Sequence, residues 1–227
     1  ESDELECYEL IESDLKLPAD ATFTRSSSAY LSDGTKVAAN QPRFEAGKFG
    51  KAVMVEEGTT NLVQNPSFES WSSGMPVSWS KGSAVTVTQV TGRSGTGYAV
   101  RFSATIGGNQ ITNRLTSTGI LQPNTTYTIS YYARRVSGTG TLAIAIDMTG
   151  HPLVQSTGIS SSWQRFSGTI TTVSNSSNKL NFVPSNANDV FEIDDIQVEA
   201  KPYATSFIDG TRAAETLTIP TAGVLNP

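Results

Sequence analysis

Two acidic features stand far apart in the chain and have the chemistry of a metal site. Glu69 ends the segment Asn-Pro-Ser-Phe-Glu, and Asp194-Asp195 lies within Phe-Glu-Ile-Asp-Asp-Ile-Gln-Val. Calcium takes six to eight oxygens at roughly 2.3–2.6 Å, which carboxylates and backbone carbonyls supply. A carboxylate from the first strand and one from the last, with carbonyls near 92–94, would join the two ends of a sandwich. Surface charge beside turns is the alternative, and the residue types leave both interpretations open.

The three tryptophans are a second set of candidate functional residues. A pyranose ring has an apolar C–H face that stacks on an aromatic plane, so Trp71 and Trp79 are candidate sugar contacts. Trp71 lies in a Ser/Gly-rich stretch, which favours the rim of a groove, whereas Trp79 is equally compatible with the core. Trp163 directly precedes a strand whose Phe166 and Ile170 are expected to face inward, and a core position is favoured there.

Polar and planar side chains on or near the predicted outward strand faces form a third set of candidates. They are Gln110, Arg114, Tyr132, Asp147 and Gln155. Planar amides and guanidinium groups suit the paired hydroxyls of a sugar. If their strands are neighbours in one sheet, Gln110, Arg114, Tyr132 and Asp147 form a shallow polar trough with one aromatic wall. The neighbour relation is an assumption, and a solvated strand face accounts for any one of them alone.

The constellations that hydrolysis requires are missing from the sequence. His151 is the only histidine and lies in a Thr-Gly-His-Pro turn, and there is no Gly-x-Ser-x-Gly elbow. Glycoside hydrolysis needs two carboxylates about 5–10 Å apart, and Asp147 has no visible partner. Zinc-ligand spacing and a phosphate-binding Gly-Lys-Ser/Thr loop are also missing. We therefore expect a protein that is not an enzyme.

The composition of the chain argues against two classes of partner, nucleic acids and membranes crossed by a helix. The 227 residues carry a net charge of −5, so the basic footprint of a nucleic-acid-binding protein is missing. No apolar run approaches the ~20 residues that a membrane-spanning helix needs. Charged residues make up 16% of the chain, below the roughly 25% of an average soluble protein. Together with the many Ser, Thr, Asn and Gly residues, this predicts an extracellular or surface-exposed β-protein with many turns.

Residues 61–200 show the clearest pattern of elements. Short strand candidates recur at spacings of roughly ten to fifteen residues and are separated by Gly/Asn turns, which is typical of an antiparallel sandwich or barrel. These candidates are 84–90, 98–104, 109–115, 125–136, 141–148, 163–171, 179–183 and 190–199. Several alternate with period two, so that Tyr127, Ile129, Tyr131 and Ala133 are predicted to share one face.

The two flanks predict additional short strands. Residues 1–60 include the apolar run Ala-Val-Met-Val, which is bounded by Gly50 and a Glu-Glu-Gly turn. Residues 201–227 contain one more strand and an extended tail that ends without a stop signal, as if a further domain followed. We expect the flanks to pair with each other as parts of a second sheet, with 61–200 inserted between them. The predicted fold class is all-β, an antiparallel β-sandwich (jelly roll) with extra strands from both flanks.

Five motifs in the central region resemble the carbohydrate-binding modules of the family 4/9/16/22 group, which are β-jelly rolls. They are Asn-Leu-Val-Gln-Asn-Pro-Ser-Phe-Glu (61–69) with Trp79, Gly-Thr-Gly-Tyr-Ala-Val (95–100), Leu-Gln-Pro-Asn-Thr-Thr-Tyr-Thr-Ile-Ser (121–130), Trp-Gln-Arg-Phe-Ser-Gly-Thr (163–169) and Phe-Glu-Ile-Asp-Asp-Ile-Gln-Val (191–198). The resemblance implies a structural calcium ion bound by Glu69 with Asp195 or Asp194. It also implies a glycan groove on the concave sheet that recognises a polysaccharide or cell-surface glycan.

The flanks carry a different resemblance. Phe-Gly-Lys-Ala-Val (49–53) is similar to the opening strand of concanavalin A-like domains. Segments 56–62 and 203–215 resemble linkers in phage tail and bacterial surface proteins, where such a module precedes or interrupts a concanavalin A-like domain. This second resemblance implies an alternative function, a structural spacer or assembly domain on a virion or cell surface with further domains as partners.

Overall fold

The protein is described from a computed structural model, which covers residues 16–47, 50–108, 115–118, 121–145, 153–156, 158–173 and 179–220. Within these ranges every regular element is a β-strand. The described residues accordingly contain no helix long and apolar enough to cross a membrane.

Sheet I, as we call it, consists of five antiparallel strands. From edge to edge it contains β10 (Val85–Thr91), β11 (Tyr98–Ala104), β18 (Val190–Glu199), β13 (Thr126–Ser137) and β16 (Gln164–Thr171). The long strands β13 and β18 are neighbours at its centre. The sheet therefore places the last strand of the central region beside one from the middle of the sequence.

Sheet II is the second five-stranded antiparallel sheet. From edge to edge it contains β15 (Leu153–Ser156), β14 (Leu142–Ala145), β17 (Lys179–Pro184), β12 (Leu115–Thr118) and β9 (Trp79–Lys81). The chain crosses repeatedly between the two sheets, since β12, β14 and β17 belong to sheet II while β13, β16 and β18 belong to sheet I. This architecture confirms the predicted all-β jelly-roll sandwich.

The core lies between the two sheets and is rich in aromatic rings. Tyr131 of sheet I contacts Phe166 at 5.8 Å between ring centroids and meets Phe182 of sheet II edge-to-face at 5.2 Å. The predicted inward face of β13 is buried as expected, with Ile129 and Ala133 fully inaccessible to solvent. Strict alternation thus assigned the faces of this strand correctly, because successive side chains of a strand point to opposite sides.

The remaining strands are short. They are β1 (Thr22–Thr24), β2 (Ala29–Tyr30), β3 (Lys36–Val37), β4 (Arg43–Gly47), β5 (Gly50–Met54), β6 (Thr59–Thr60), β7 (Trp71–Ser72), β8 (Met75–Pro76), β19 (Thr211–Arg212) and β20 (Thr216–Thr218). Two strand pairs join the N-terminal flank to the C-terminal flank, β1 with β20 and β6 with β19. The division of the chain at 60 and 200 stays a prediction, and residues 1–15 and 221–227 lie outside the described ranges.

A buried group of charged residues, here called the flank charge cluster, holds the two flanks together. Its members are Arg25, Arg43, Glu56, Arg212 and Glu215. The carboxylate of Glu215 accepts hydrogen bonds of 2.8 Å each from Arg25 Nη1, Arg43 Nη2 and the backbone N–H of Glu56. The side chains of Arg25, Arg43 and Glu215 are 0% exposed. One carboxylate from the C-terminal flank therefore pairs with two arginines from the N-terminal flank.

Glu56 makes the stability of this cluster pH-dependent. Burial acts to raise its pKa, but the hydrogen bond from Arg43 and the charge of Arg212 outweigh burial and hold the pKa below its usual 4.5. The unfolded chain therefore binds more protons than the folded protein near this pH, and stability falls as pH is lowered through the folded pKa. Below that pKa we expect the stabilising contribution of Glu56 to be lost.

Denaturant unfolding at about pH 6 and about pH 3 measures this contribution. Glu56→Gln is expected to be less stable than the unmodified protein at the higher pH and to lose less stability on acidification. Glu57→Gln is the matched control, because Glu57 is 53% exposed and pairs with Lys201. An acid-induced loss of equal size in the unmodified protein and Glu56→Gln would contradict the assignment.

Candidate functional site

A bulge in β18 orients the Asp194-Asp195 pair. Ser130 of β13 pairs with Gln197, yet Tyr132 pairs with Asp194, so β18 has one residue more than β13 at this point. Asp195 in this bulge takes a positive φ of 46°, which lies in the left-handed region. The carboxylate of Asp194 accepts the backbone N–H of Arg93 at 2.9 Å, and that of Asp195 pairs with Arg93 Nε. The bulge thus directs both carboxylates toward the same loop.

A tight turn brings Glu69 to the same end of the sandwich. Asn65 and Phe68 both have positive φ, and Phe68 N–H donates to Asn65 O at 3.2 Å. Phe68 is thereby buried in the core, and Glu69 accepts the backbone N–H of Tyr98 at 3.1 Å. Gly97 has φ +63°, and a Cβ there would lie 2.2 Å from Glu69 Oε1. Only glycine fits at this position without displacing the carboxylate.

Four carboxylates line one cavity, here called the acid-lined cavity, of about 390 Å³. They belong to Glu69, Asp194, Asp195 and Asp209. Burial, followed by the charge of Asp195, raises the pKa of Asp194 above its ordinary value. Burial also raises the pKa of Asp195, although the charge and hydrogen bond of Arg93 oppose the shift. The fold therefore brings the three predicted acidic residues together in a region of excess negative charge.

Arg93 is the cation at the centre of this region. Its side chain is 4% exposed and pairs with Asp195. The guanidinium carbon lies 3.7 Å from the ring centroid of Tyr132, and Nη1 donates to the backbone carbonyl of Ser32 at 2.7 Å. Its Nη2 is buried without a hydrogen-bond partner among the described residues. Arg93 thus contacts both sheet I and the N-terminal flank.

The acid-lined cavity suits calcium in the chemistry of its donors, because carboxylate oxygens are the hard ligands that calcium prefers. Both oxygens of Asp194 already accept backbone N–H groups, from Arg93 and from Asp195. Asp195 is therefore the better placed of the two to bind an ion. Among the described residues no three acidic side chains converge closely enough to hold a metal by themselves. An ion bound by Glu69 and Asp195 would need backbone carbonyls or water as its other ligands.

The outer face of sheet II carries polar groups in register. Thr116 pairs with Ser80 on one side and Asn181 on the other, and its hydroxyl donates to Asn181 Oδ1 at 2.7 Å. Asn181 and Val183 are only 2% and 3% exposed, although neither belongs to the core cluster between the sheets. Ala143, which pairs with Val183, is buried as well. This face therefore has a recessed floor of small and polar residues.

The predicted single trough is wrong in one respect, because its strands belong to different sheets. Tyr132 lies on β13 of sheet I, whereas Ala143, which was predicted to lie between the trough residues, belongs to β14 of sheet II. The jelly-roll crossover between β13 and β14 separates residues that are close in sequence. Tyr132 is also half-buried, since its hydroxyl donates to Ser32 O at 3.1 Å and Arg93 stacks on its ring.

The tryptophans occupy three different environments. Trp79 is 7% exposed and packs in the core at 5.1 Å from Phe68 between ring centroids, so the core interpretation holds and a sugar contact does not. Trp71 is half-buried against the core, and its indole N–H donates to Phe68 O at 2.6 Å. Trp163, for which a core position was favoured, is half-buried outside the core cluster with Arg134 over its ring at 5.0 Å.

Three predicted contacts, Gln110, Arg114 and Asp147, lie outside the described residues. The backbone of Gln155 is described and pairs with Ala143 at the edge of sheet II. The roles of these four residues stay predictions.

Sequence reasoning missed the side chains of Arg93, Asp209 and Asn181. The loop 92–94 was expected near the acidic pair for its carbonyls, but nothing in Gly-Arg-Ser-Gly indicated that the arginine itself would fill the space. Asp209 lies in a Gly-containing turn of the C-terminal flank, which only tertiary packing brings to Glu69. Asn181 alternates with Leu180 and Phe182, and that alternation was the available signal for an outward polar residue.

The profile of one protein family, described as a carbohydrate binding domain, matches residues 60–186. No curated protein sequence matches the chain.

Several solved structures are similar in fold. The xylan-binding CBM22-1 domain of Paenibacillus barcinonensis Xyn10C is 18% identical with a TM-score of 0.47, over 66% of this chain and 99% of that one. A family 16 carbohydrate-binding module is 21% identical with a TM-score of 0.42, over 61% of this chain and 99% of that one. The enzymatically active domain of bacteriophage CBA120 tailspike protein 4 is 17% identical with a TM-score of 0.42, over 61% of this chain and 21% of that one.

The profile match spans more than half of the chain, and its range contains the turn with Glu69 and all but one of the ten sandwich strands. The sandwich strand that lies outside the matched range is β18, which carries the acidic pair and is part of sheet I. The chain therefore belongs to the family of carbohydrate-binding domains of the family 4/9 type.

Proposed function

We propose that the protein is a non-catalytic module that binds a polysaccharide or cell-surface glycan on the outer face of sheet II. The observation that carries the proposal is the row formed by Ser80, Thr116 and Asn181, which crosses three neighbouring strands on a recessed face. Hydroxyl and amide groups both donate and accept hydrogen bonds, as paired sugar hydroxyls require. The predicted contacts Gln110, Arg114, Asp147 and Gln155 belong to or adjoin strands of this sheet in the sequence.

The outer face of sheet I is a poorer candidate because the flanks cover much of it. Arg165 on β16 donates to Thr205 O in the C-terminal flank and to Ser130 Oγ. Gln197 on β18 donates to Ser206 O and accepts the backbone N–H of Ile208. Ser130 and Gln197 are consequently buried although they lie on the outer side of the sheet. On the outer face of sheet II, by contrast, Ser80 is exposed and Thr116 is partly exposed, although Asn181 beside them is buried.

Calorimetric titration with soluble β-glucans, xylans and mannans tests this function. We expect at least one glycan to bind, and Thr116→Val to weaken its binding about 3- to 10-fold through the loss of one hydrogen-bonding hydroxyl. Thr126→Val is the matched control, because it removes a hydroxyl from an exposed position on sheet I that bonds to Thr171.

Two results would count against the proposal. The absence of heat from every glycan would contradict carbohydrate binding by this chain. Equal affinities for Thr116→Val and Thr126→Val would move the binding site away from sheet II.

The structural calcium ion is also part of the proposal, with Glu69 and Asp195 as its carboxylate ligands. What supports it is the donor chemistry of the acid-lined cavity and the direct link between the early turn and the last strand of the sandwich. An ion bound only to the folded state raises the melting temperature. An identical melting temperature in excess calcium and in excess chelator would contradict this part.

A structural spacer or assembly domain of a phage tail or bacterial surface protein is the alternative. It is favoured by the pairing of β1 with β20 and of β6 with β19, because that pairing encloses the sandwich between two flanks of the same chain. Light scattering that shows a strict monomer, together with measurable glycan binding, would exclude the assembly role.

A further inference from the structure

Arg93 carries a permanent positive charge into the acid-lined cavity, since a guanidinium stays protonated in proteins. The group is almost fully buried and is held from three sides, by the carboxylate of Asp195, the carbonyl of Ser32 and the ring of Tyr132. Its backbone N–H also donates to Asp194. The loop that carries Arg93 therefore delivers both a main-chain donor and a side-chain cation to the acidic pair.

This cation offsets only part of the negative charge around it. Glu69 and Asp209 also face the cavity, and neither takes part in an ion pair among the described residues. Lys36 lines the cavity as well and is exposed. One of the two terminal nitrogens of Arg93, Nη2, has no partner within the described part of the chain. The cavity thus combines unpaired carboxylates with a cation whose hydrogen-bonding capacity is only partly used.

We propose that Arg93 is a built-in cation that holds Asp195 in the metal-free protein and competes with calcium for this carboxylate. The competition rests on the calcium site proposed above, whereas the role of Arg93 without metal does not. A divalent ion at Asp195 would lie beside a buried guanidinium, and like charges in a poorly solvated site repel strongly. Calcium therefore binds only weakly unless the guanidinium leaves Asp195.

Because Arg93 contacts Ser32, calcium binding at Asp195 would also affect the N-terminal flank. Ser32 O accepts hydrogen bonds from both Arg93 and Tyr132. Gly34 lies against the guanidinium as well, because a Cβ there would be 3.4 Å from its carbon. Displacement of Arg93 by an ion would loosen this attachment, so occupation of the cavity and docking of segment 31–35 are coupled.

The test compares calcium binding in the unmodified protein, Arg93→Gln, Arg93→Lys and Arg101→Gln by titration calorimetry. Arg93→Gln removes the charge and is expected to bind calcium at least tenfold more tightly. Arg93→Lys keeps a positive charge and is expected to stay close to the unmodified protein. Arg101→Gln is the control, because Arg101 pairs with the buried Glu192 on the same sheet and does not line the acid-lined cavity.

Melting in chelator tests the metal-free role separately. Arg93→Gln is expected to melt lower than Arg101→Gln, because it leaves Asp195 without its cation, and added calcium is expected to restore much of the loss. Melting of the two variants at the same temperature in chelator would overturn the metal-free role.

Three patterns of calcium binding would contradict the competition between Arg93 and calcium. Calcium binding of equal strength in the unmodified protein and Arg93→Gln overturns the competition and leaves the calcium site standing. An equal gain in Arg93→Gln and Arg93→Lys overturns it too, since the effect would then come from lost packing on Tyr132. No calcium binding in any variant overturns both the site and the competition, while the melting comparison still reports on Arg93 as a structural cation.

Discussion

Replacing Glu215 by Gln is expected to lower the free energy of unfolding by about 3–5 kcal/mol, the usual cost of removing one partner from a buried ion pair. The side chains of Arg25 and Arg43 are 0% exposed, and Glu215 is the acceptor that both of them share. Without its charge the two guanidiniums remain buried, and among the described residues Glu56 is the acidic partner left to Arg43. For a chain of this length the melting temperature should fall by roughly 6–20 °C.

Glu57→Gln provides the matched comparison for this effect. Glu57 makes the same type of ion pair with Lys201 at 2.8 Å, but it is 53% exposed. Exposed pairs contribute about 0–1 kcal/mol, so this variant should melt close to the unmodified protein. Thermal unfolding followed by circular dichroism measures both variants. Similar melting temperatures for the two would show that the flank charge cluster does not hold the flanks together.

Trp79→Ala is expected to destabilise the protein by about 3–5 kcal/mol, as large-to-small changes of buried aromatic residues do. Its ring lies between Phe68 and Phe182 at centroid distances of 5.1 and 6.2 Å, and it connects the early turn to sheet II. Removing it leaves a cavity and ends both ring contacts. Denaturant unfolding gives the free-energy difference directly.

Trp163→Ala is the control, because it removes an indole that does not belong to the core. Trp163 is half-buried under Arg134, and a contact of this type contributes on the order of 0.5–1 kcal/mol at exposed sites. We therefore expect a small effect on stability from Trp163→Ala and a large one from Trp79→Ala. A Trp79→Ala variant that keeps full stability but loses glycan binding would overturn the core assignment and return Trp79 to the ligand site.

Local sequence patterns were sufficient for the type of fold. Alternation along β13 identified Tyr131 as inward, and the structure buries it between Phe166 and Phe182. The turn signals between strand candidates predicted an antiparallel sandwich. Alternation and turn signals could both be recognised because each depends on residues only a few positions apart. Alternation could not identify which sheet a strand joins, and for this reason Tyr132 of β13 was wrongly grouped with residues of β14.

The candidate metal site was also predictable from the sequence only in part. Glu69 and Asp195 were recognisable by residue type and by their motifs, and the fold does bring them to one cavity. The entry of Arg93 into that cavity depends on the bulge at Asp195, the stack on Tyr132 and the carbonyl of Ser32. Each of these partners is remote in sequence from Arg93, so no short-range pattern contains the information.

By itself, then, the sequence determined an all-β jelly roll of the carbohydrate-binding kind, because the fold follows from alternation, turn residues and short motifs. It also identified Glu69, Asp194 and Asp195, which line one cavity in the structure. Only the tertiary structure decided that Trp79 belongs to the core, that Tyr132 is half-buried and that an arginine pairs with Asp195. Those outcomes depend on which strands become neighbours, and crossovers between two sheets determine that through contacts among residues far apart in the chain.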